Sequence, residues 1–511
     1  MMSVQGFRSI FGRLFRAQFA ADDVRAALFP DPSLRMDAEH PTALFDPFSL
    51  CLSLEAPPPF SDDRKRLMRG EIEEIKKDVL PEFWLKSGPE RLGYILHVTS
   101  GIHELRHYHD HFGTTFGFHR VLRTINDAIE FNRVWNALKK EPKICLPLGE
   151  WGKSAEAPQI LREYLQQRRQ YVEWFTVADH ATTPPKLGPA EVVLVFAMRG
   201  LSAVVPTVTL NIGKPGIAAS IYQKSVPLGG RALLEGNAVA VQRIFTSWVF
   251  GKRYRDELNA FVRQGSPHDD RWLDYAALEG YLGNRLGKFY DWAQLVFSDL
   301  AMMAENPEDL MNEHPGIRLS KVVTAALAGK PLYRQTGINF ASYLDQLTRE
   351  LKWKPVRDVA RRALVAADKH IAQLRTLTER DTMWPRILAA VHSLHRDFMR
   401  IRVKQPHCLV DPWIYTALLP HLPQPPVIQE GRSLTFRGAD DTDAAVFGQW
   451  FFFEHFQRHM LSQRELPCAG GLANHRCPGN ALRKGWTPLD TCMYSQFLGM
   501  LGVPDVVFAK A

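Results

Sequence analysis

The sequence of 511 residues predicts a mainly α fold, of α+β type with a minor β component. Two observations carry that expectation. Apolar residues recur at helical spacing through long segments between residues 64 and 403, whereas strand-like patterning is confined to two short stretches, 48–54 and 207–212. A third observation concerns chain length, which is too great for one ordinary core and leads us to expect several folded regions.

Taken in order, residues 21–60 are punctuated by Pro30, Pro32, Pro41 and the run Pro57-Pro58-Pro59, which reads as an irregular arm holding the first β candidate. Ser61 and Asp62 supply a start for a helix over 64–79. Gly88 and Pro89 open a longer helix in which Leu92, Ile95, Val98, Ile102 and Leu105 share a face, ending near Gly113. Further helices are expected over 122–138 and 157–178. The apolar stretch 192–210 is broken by Arg199, Gly200 and Pro206, which makes it a buried helix followed by a strand and not a membrane span. Gly229-Gly230 precedes a helix to about 249, and helical patterning resumes over 273–303, 318–328, 340–351, 354–380 and 384–403. Prolines between 406 and 426 interrupt it. No repeat or low-complexity segment is present.

Apolar residues at 45% and charged residues at 23% are proportions of a globular chain. The net charge of +8 arises from 63 basic and 55 acidic residues, a modest excess that argues against nucleic acid as a partner. Six cysteines with no secretory leader favour a reducing, cytoplasmic setting. Residues 1–19 combine Arg8, Arg13 and Arg16 with Phe7, Ile10, Phe11, Leu14, Phe15 and Phe19. They read as a terminal helix that docks on the body, makes peripheral membrane contact or acts as a targeting segment.

The segment from Ser100 to Gly113 reads SGIHELRHYHDHFG and contains His103-Glu104-Leu105-Arg106-His107, an HExxH motif. On a helix, positions four apart share a face, so His103 and His107 can ligate one zinc ion. Glu104, beside the first of them, is placed to act as general base toward an attacking water. A catalytic zinc needs a third protein ligand and one open position. A metzincin would have histidine six residues after His107, where Gly113 stands, so that class is excluded. Asp110 and His111 are candidates for a ligand or for a partner fixing an imidazole tautomer, as well as for ordinary helix-end duty. His97 lies on another face and is expected to pack.

Residues 228–242, LGGRALLEGNAVAVQ, hold Glu235 among Ala232, Leu233, Leu234, Ala238, Val239 and Ala240. A carboxylate so surrounded is costly unless compensated, by a metal or by an arginine such as Arg231 or Arg243. The LLEGNA core resembles the second helix of gluzincin-type metallopeptidases. This resemblance implies a zincin-like core with His103, His107 and Glu235 as zinc ligands, Glu104 as base, and small residues after the glutamate permitting close helix packing. The sequence His314-Pro-Gly-Ile-Arg318 looks like an element that follows the third ligand in some of these families. The long separation of His107 from Glu235 implies an insertion, and no pronounced edge strand for gripping a peptide stands out ahead of the HExxH helix. His314, Tyr222 and Arg231 are candidates for stabilising an oxyanion.

Near the end, Cys468, His475, Cys477 and Cys492 fall close together with Gly470, Gly471, Pro478 and Gly479, the residue set of a structural Cys₃His zinc site. Their irregular spacing is equally that of scattered buried thiols. The expected organisation is therefore 1–60, basic helix and irregular arm; 61–330, metallopeptidase core; 331–430, helical region; and 431–511, a Cys/His-containing region. The expected function is zinc-dependent hydrolysis of a peptide bond in a protein or peptide substrate. The alternatives are a non-catalytic zinc-binding scaffold for a partner or nucleic acid, and a zinc hydrolase of a non-peptide substrate.

Overall fold

One helix, buried on every side along its second half, organises the molecule. A computed structural model describes residues 43–54, 61–180, 205–213, 221–263, 271–287, 290–329, 337–377, 383–430, 433–438, 441–462, 493–503 and 506–510. The basic segment 1–19, the apolar stretch 192–204 and the cluster Cys468, His475, Cys477 and Cys492 lie outside the described residues.

The architecture is mainly helical with few strands. In chain order the strands are β1 (Ala43–Asp46), β2 (Cys51–Leu54), β3 (Ile144–Leu146), β4 (Thr207–Gly213), β5 (Ile221–Pro227), β6 (Val427–Glu430), β7 (Ser433–Phe436) and β8 (Phe508–Lys510). The helices that concern the site are α1 (Ser61–Met68), α2 (Ile72–Asp78), α3 (Gly88–Gly113), α4 (Thr115–Leu138), α5 (Gln159–His180), α6 (Gly230–Val249), α7 (Lys252–Arg263), α8 (Arg271–Leu286) and α9 (Asp291–Met302). They are followed by α10 (Pro315–Ala328), α11 (Phe340–Glu350), α12 (Val356–Leu377), α13 (Met383–Lys404), α14 (Pro412–Leu418), α15 (Asp441–Ser462) and α16 (Met493–Met500).

Helix α3 begins with a capping box, in which the Ser87 hydroxyl accepts from the Glu90 amide and the Glu90 carboxylate accepts from the Ser87 amide. It ends at Thr114, whose hydroxyl accepts from the Gly117 amide and so starts α4 without a linker. Gly101 lets α1 approach, since a Cβ there would meet Arg64 and Met68 side chains at 2.6–2.9 Å. The expected helix over 64–79 is two helices, α1 and α2, because the chain turns at Gly70 with φ of +77°. The expected helix over 273–303 is likewise split into α8 and α9, with Gly287 at φ +70°. Helix α4 starts earlier than its apolar pattern suggested because Thr114 caps it.

Around α3 pack α1, α4, α6 and α13, and α6 in turn packs on α8 and α9. Helices α12 and α13 form an antiparallel pair, and α15 packs against α13. A buried bidentate pair joins Arg402 of α13 to Asp299 of α9 at 2.6 and 2.7 Å, while Arg402 also donates to the carbonyl of Gly113. Two charges so deep are tolerable only with this geometry.

The β candidate at 48–54 is a hairpin that starts earlier, β1–β2, turned by Asp46, which accepts from the Phe48 amide and the Ser49 hydroxyl. Strand β2 pairs in parallel with β6, Cys51 opposite Val427, and β7 completes a four-stranded sheet in the order β1-β2-β6-β7. Among the described strands β1 is therefore an edge, and it lies across α3. A second antiparallel pair, β4–β5, rests on α8, and β3 pairs in parallel with β8. No helix among the described residues is long and apolar enough to cross a membrane.

Candidate metal centre

Helices α3 and α6 lie side by side and bring His103, His107 and Glu235 together. The Nε2 atoms of the two histidines are 3.2 Å apart, and Oε2 of Glu235 is 3.1 Å from His107 Nε2 and 3.6 Å from His103 Nε2. Four ligands about 2.05 Å from a tetrahedral zinc stand roughly 3.3 Å from one another. The donor triangle has that size, and its atoms are of the types zinc accepts, so the residues present fit the ion.

Close approach of α6 depends on Gly236. A Cβ there would lie 2.5 Å from Leu278 Cδ2 and 3.0 Å from Gln294 Nε2, on α8 and α9. The small residue after the glutamate thus serves packing on the far side of α6. Neither arginine offered by the sequence compensates Glu235. Arg231 pairs with Asp274 at 2.9 Å, and Arg243 pairs with Glu279 and Asp291.

Burial alone would raise the Glu235 carboxyl pKa, yet His107 and His103 hold it far below the ordinary carboxylate range. Burial also works against a charged His107, and the Glu235 carboxylate overrides it, pushing the imidazole up to about 9. Among the described residues this is the group of histidines, cysteines and acids spaced to hold a metal. The carboxylate of Glu235 favours a positive charge at this point.

Glu104 sits beside the triangle with Oε1 3.8 Å from His103 Nε2, and its Oε2 accepts a 2.8 Å hydrogen bond from the backbone amide of Phe45. Burial raises its pKa, opposed by the two imidazoles, which makes the carboxylate a stronger proton acceptor than a solvated one. No strand stood out in the sequence over residues 43–46; β1 lies there, at the edge of the four-stranded sheet among the described residues and ahead of the HExxH helix.

Behind the site, Asp110 is 2.9 Å from Arg106 Nη2 and accepts from Asn237 Nδ2 at 3.3 Å, so it joins α3 to α6. His111 donates from Nδ1 to the carbonyl of His107 at 2.7 Å, and burial pushes its pKa down to about 3, so it is neutral. Asp110 and His111 therefore support the helix pair and stand outside the donor triangle. His109 meets the Tyr415 hydroxyl at 2.9 Å, and His97 packs against Arg64. His314 caps α10, taking the Gly316 amide on Nδ1, and donates from Nε2 to the Val177 carbonyl; it does not line the site. The side chain of Tyr222 lies outside the described residues.

The triangle opens on a cleft of about 460 Å³. Its walls are β1 and the turn after it (Leu44, Phe45, Pro47, Phe48), α5 (Val172, Phe175), α6 (Arg231, Leu234) and Tyr275 of α8. Tyr275, whose ring centroid is 5.6 Å from that of His103, carries no motif and was not singled out in the sequence. No protein-family model, curated protein or solved structure matches the chain.

Proposed function

We propose that this chain is a zinc-dependent hydrolase of peptide bonds, built on a zincin-like core in which α3 and α6 hold the ion through His103, His107 and Glu235. The observation that carries this reading is the convergence of three donor atoms from two helices beside an independent carboxylate, Glu104, at the floor of an open cleft. Bound there, zinc would polarise a substrate carbonyl and make a water nucleophilic near neutral pH. Glu104 takes the proton from the attacking water and passes it to the departing amine.

A peptide substrate is favoured over other hydrolysable compounds by β1. Among the described strands this edge lines the cleft through Leu44 and Phe45, where an extended peptide can lie alongside it. The apolar side chains Leu44, Phe48, Val172 and Phe175 offer places for side chains of that peptide. The scaffold alternative loses part of its footing because basic residues of α12 and the segment before it are engaged by acids. Lys354 and Arg362 both pair with Glu305, and Arg361 pairs with Asp358.

The test is metal analysis together with a single variant. Purified protein is expected to hold about one tightly bound zinc at this site, and Glu104→Gln to keep it while losing peptide hydrolysis. Protein that binds no zinc, or a Glu104→Gln enzyme that hydrolyses as well as the parent, overturns the proposal.

A further inference from the structure

We propose that the hairpin of α12 and α13 is a docking surface for the phosphate backbone of duplex nucleic acid, independent of the metal site and of the peptidase reading. The position of the charge carries this. The 53 residues 352–404 hold 13 basic and 5 acidic side chains, and the other 458 residues hold 50 of each. The whole net charge of +8 therefore resides on this hairpin and the few residues before it. An excess that is modest over 511 residues is large over 53, and a polyanion meets the local field. None of these residues lines the cleft at the metal site.

Helix α12 buries Val356, Val359, Ala360, Ala367 and Ile371 and exposes Arg357, Arg361, Arg362, Lys369 and Arg375. Helix α13 exposes Arg386, Arg400 and Lys404. Among the described cations of the segment only Arg402 is buried, against Asp299. Arg357 in the first turn of α12 and Lys404 at the end of α13 stand at one end of the antiparallel pair, with Arg375 and Arg386 at the other. The 22 residues of α12 extend about 33 Å, close to the roughly 34 Å of one duplex turn. The acids at hand do not cancel this array. Lys354 and Arg362 share Glu305, Arg396 and Arg400 share Asp397, and Arg361 pairs with Asp358. Surface pairs contribute about 0–1 kcal/mol, so a phosphate joins or displaces them at little cost. Arg357, Lys369, Arg386 and Lys404 enter none of these pairs.

The character of the face selects among polyanions. A helix lying on a lipid surface buries an apolar face there, but α12 turns its apolar face to α13. The large apolar side chains it exposes, Val365 and Leu377, are about 18 Å apart along the axis. No Trp, Tyr or Phe is exposed on either helix, since Trp384 and Phe398 are buried. The face thus lacks the aromatic anchors of a protein interface and the platforms on which unpaired bases stack. Rigidly held cations along a helical rod suit paired phosphate rows, which duplex DNA and duplex RNA share. Nine of the 13 cations are arginines, whose planar guanidinium matches phosphate oxygens.

The test titrates the full chain against fluorescein-labelled 24-base-pair DNA and RNA duplexes by anisotropy, from 50 to 200 mM KCl. Binding at about micromolar concentration in 50 mM KCl is expected, weakening steeply with salt. The duplex bound tighter assigns the source of the phosphates. Joint substitution of Arg357→Gln, Lys369→Gln, Arg386→Gln and Lys404→Gln should weaken binding at least tenfold and lower the slope of log K against log salt by about 2–4. Each single substitution should cost about two- to threefold, so the effect is also read in proteins with one exposed change. Arg69→Gln, Arg133→Gln, Lys143→Gln and Lys153→Gln, four exposed cations elsewhere, should together leave binding unchanged, as should Glu104→Gln. The proposal is overturned if neither duplex binds at 50 mM KCl, or if the hairpin variants bind as the parent does. It is equally overturned if vesicles of phosphatidylcholine and phosphatidylserine, 7:3, or poly-L-glutamate of equal charge compete as well as unlabelled duplex.

Discussion

The backbone amide of Phe45 donates a 2.8 Å hydrogen bond to Oε2 of Glu104, so an edge strand holds the carboxylate next to the two histidines. The Phe45 side chain is buried against Tyr108 and His111, which keeps the strand in place. Phe45→Ala retains the amide and loses the ring, while Phe45→Pro loses both. Both variants should lose about 3 kcal/mol of stability from the vacated core. Phe45→Pro should show an additional fall of about tenfold or more in kcat, with unchanged zinc content, because the base is no longer oriented. Urea unfolding and peptide-hydrolysis assays of the pair isolate the contribution of one N–H group; equal kcat values would show that it contributes nothing.

Gly236 should not accept a side chain. In Gly236→Ala the new methyl group would meet Leu278 at 2.5 and 2.9 Å and push α6 away from α8. Overpacking of this kind costs about 1–3 kcal/mol, only partly offset by alanine's helix preference of about 1 kcal/mol. Since Glu235 is the preceding residue, zinc affinity should fall with stability. Thermal unfolding of metal-free protein and zinc titration monitor the two effects, and unchanged melting would mean that the helices yield freely.

Asp110 is the buried charge partner of Arg106, whose guanidinium also donates to the carbonyl of Leu409 and lies over the Tyr415 ring. Asp110→Asn leaves that cation without its carboxylate and should cost about 3 kcal/mol, measured by urea unfolding. The contact to Asn237 Nδ2 is weakened as well, so α3 and α6 should hold zinc less tightly.

A pH effect is expected away from the metal site. Arg458 of α15 binds Asp46 of β1 at 2.9 Å and also contacts Glu454. Burial, together with the charge of Asp46 and against that of Arg458, pushes the Glu454 carboxyl up to about 8. In the unfolded chain it titrates near its ordinary value of 4.5. Between those values the folded protein holds a proton that the unfolded chain has released, so stability declines as pH rises from about 4.5 to about 8. Glu454→Gln should flatten that decline by a few kcal/mol, seen as unfolding midpoints that differ less between acidic and mildly alkaline buffer. A parallel pH profile for the two proteins would rule the effect out.

The helical part of this architecture was legible because its signals are local. Apolar positions at helical spacing marked α3, α6 and α13, and the HExxH spacing with a carboxylate set among aliphatic residues named the three side chains that meet. Elements held by distant partners were not legible. Four residues of β1 have no strand identity until β2 finds β6, and the contact that orients Glu104 comes from a backbone amide, which every non-proline residue has. The pairing of Arg231 with Asp274 instead of Glu235 is a tertiary choice between acids, and local sequence does not encode it. Gly70 and Gly287 were visible as glycines, but their left-handed backbone, which divides two expected helices, depends on what packs around them.

The parallel pairing of Cys51 with Val427 sets a schedule for synthesis. On a ribosome, α3 and α6 emerge and can pack long before β6 exists, so the histidines and Glu235 can meet in a chain that still lacks its sheet. The hairpin carrying Phe45 acquires its neighbour only after residue 427 has cleared the exit tunnel, and its Arg458 anchor later still. The contact that orients Glu104 thus gains its full support later in synthesis than the meeting of α3 with α6.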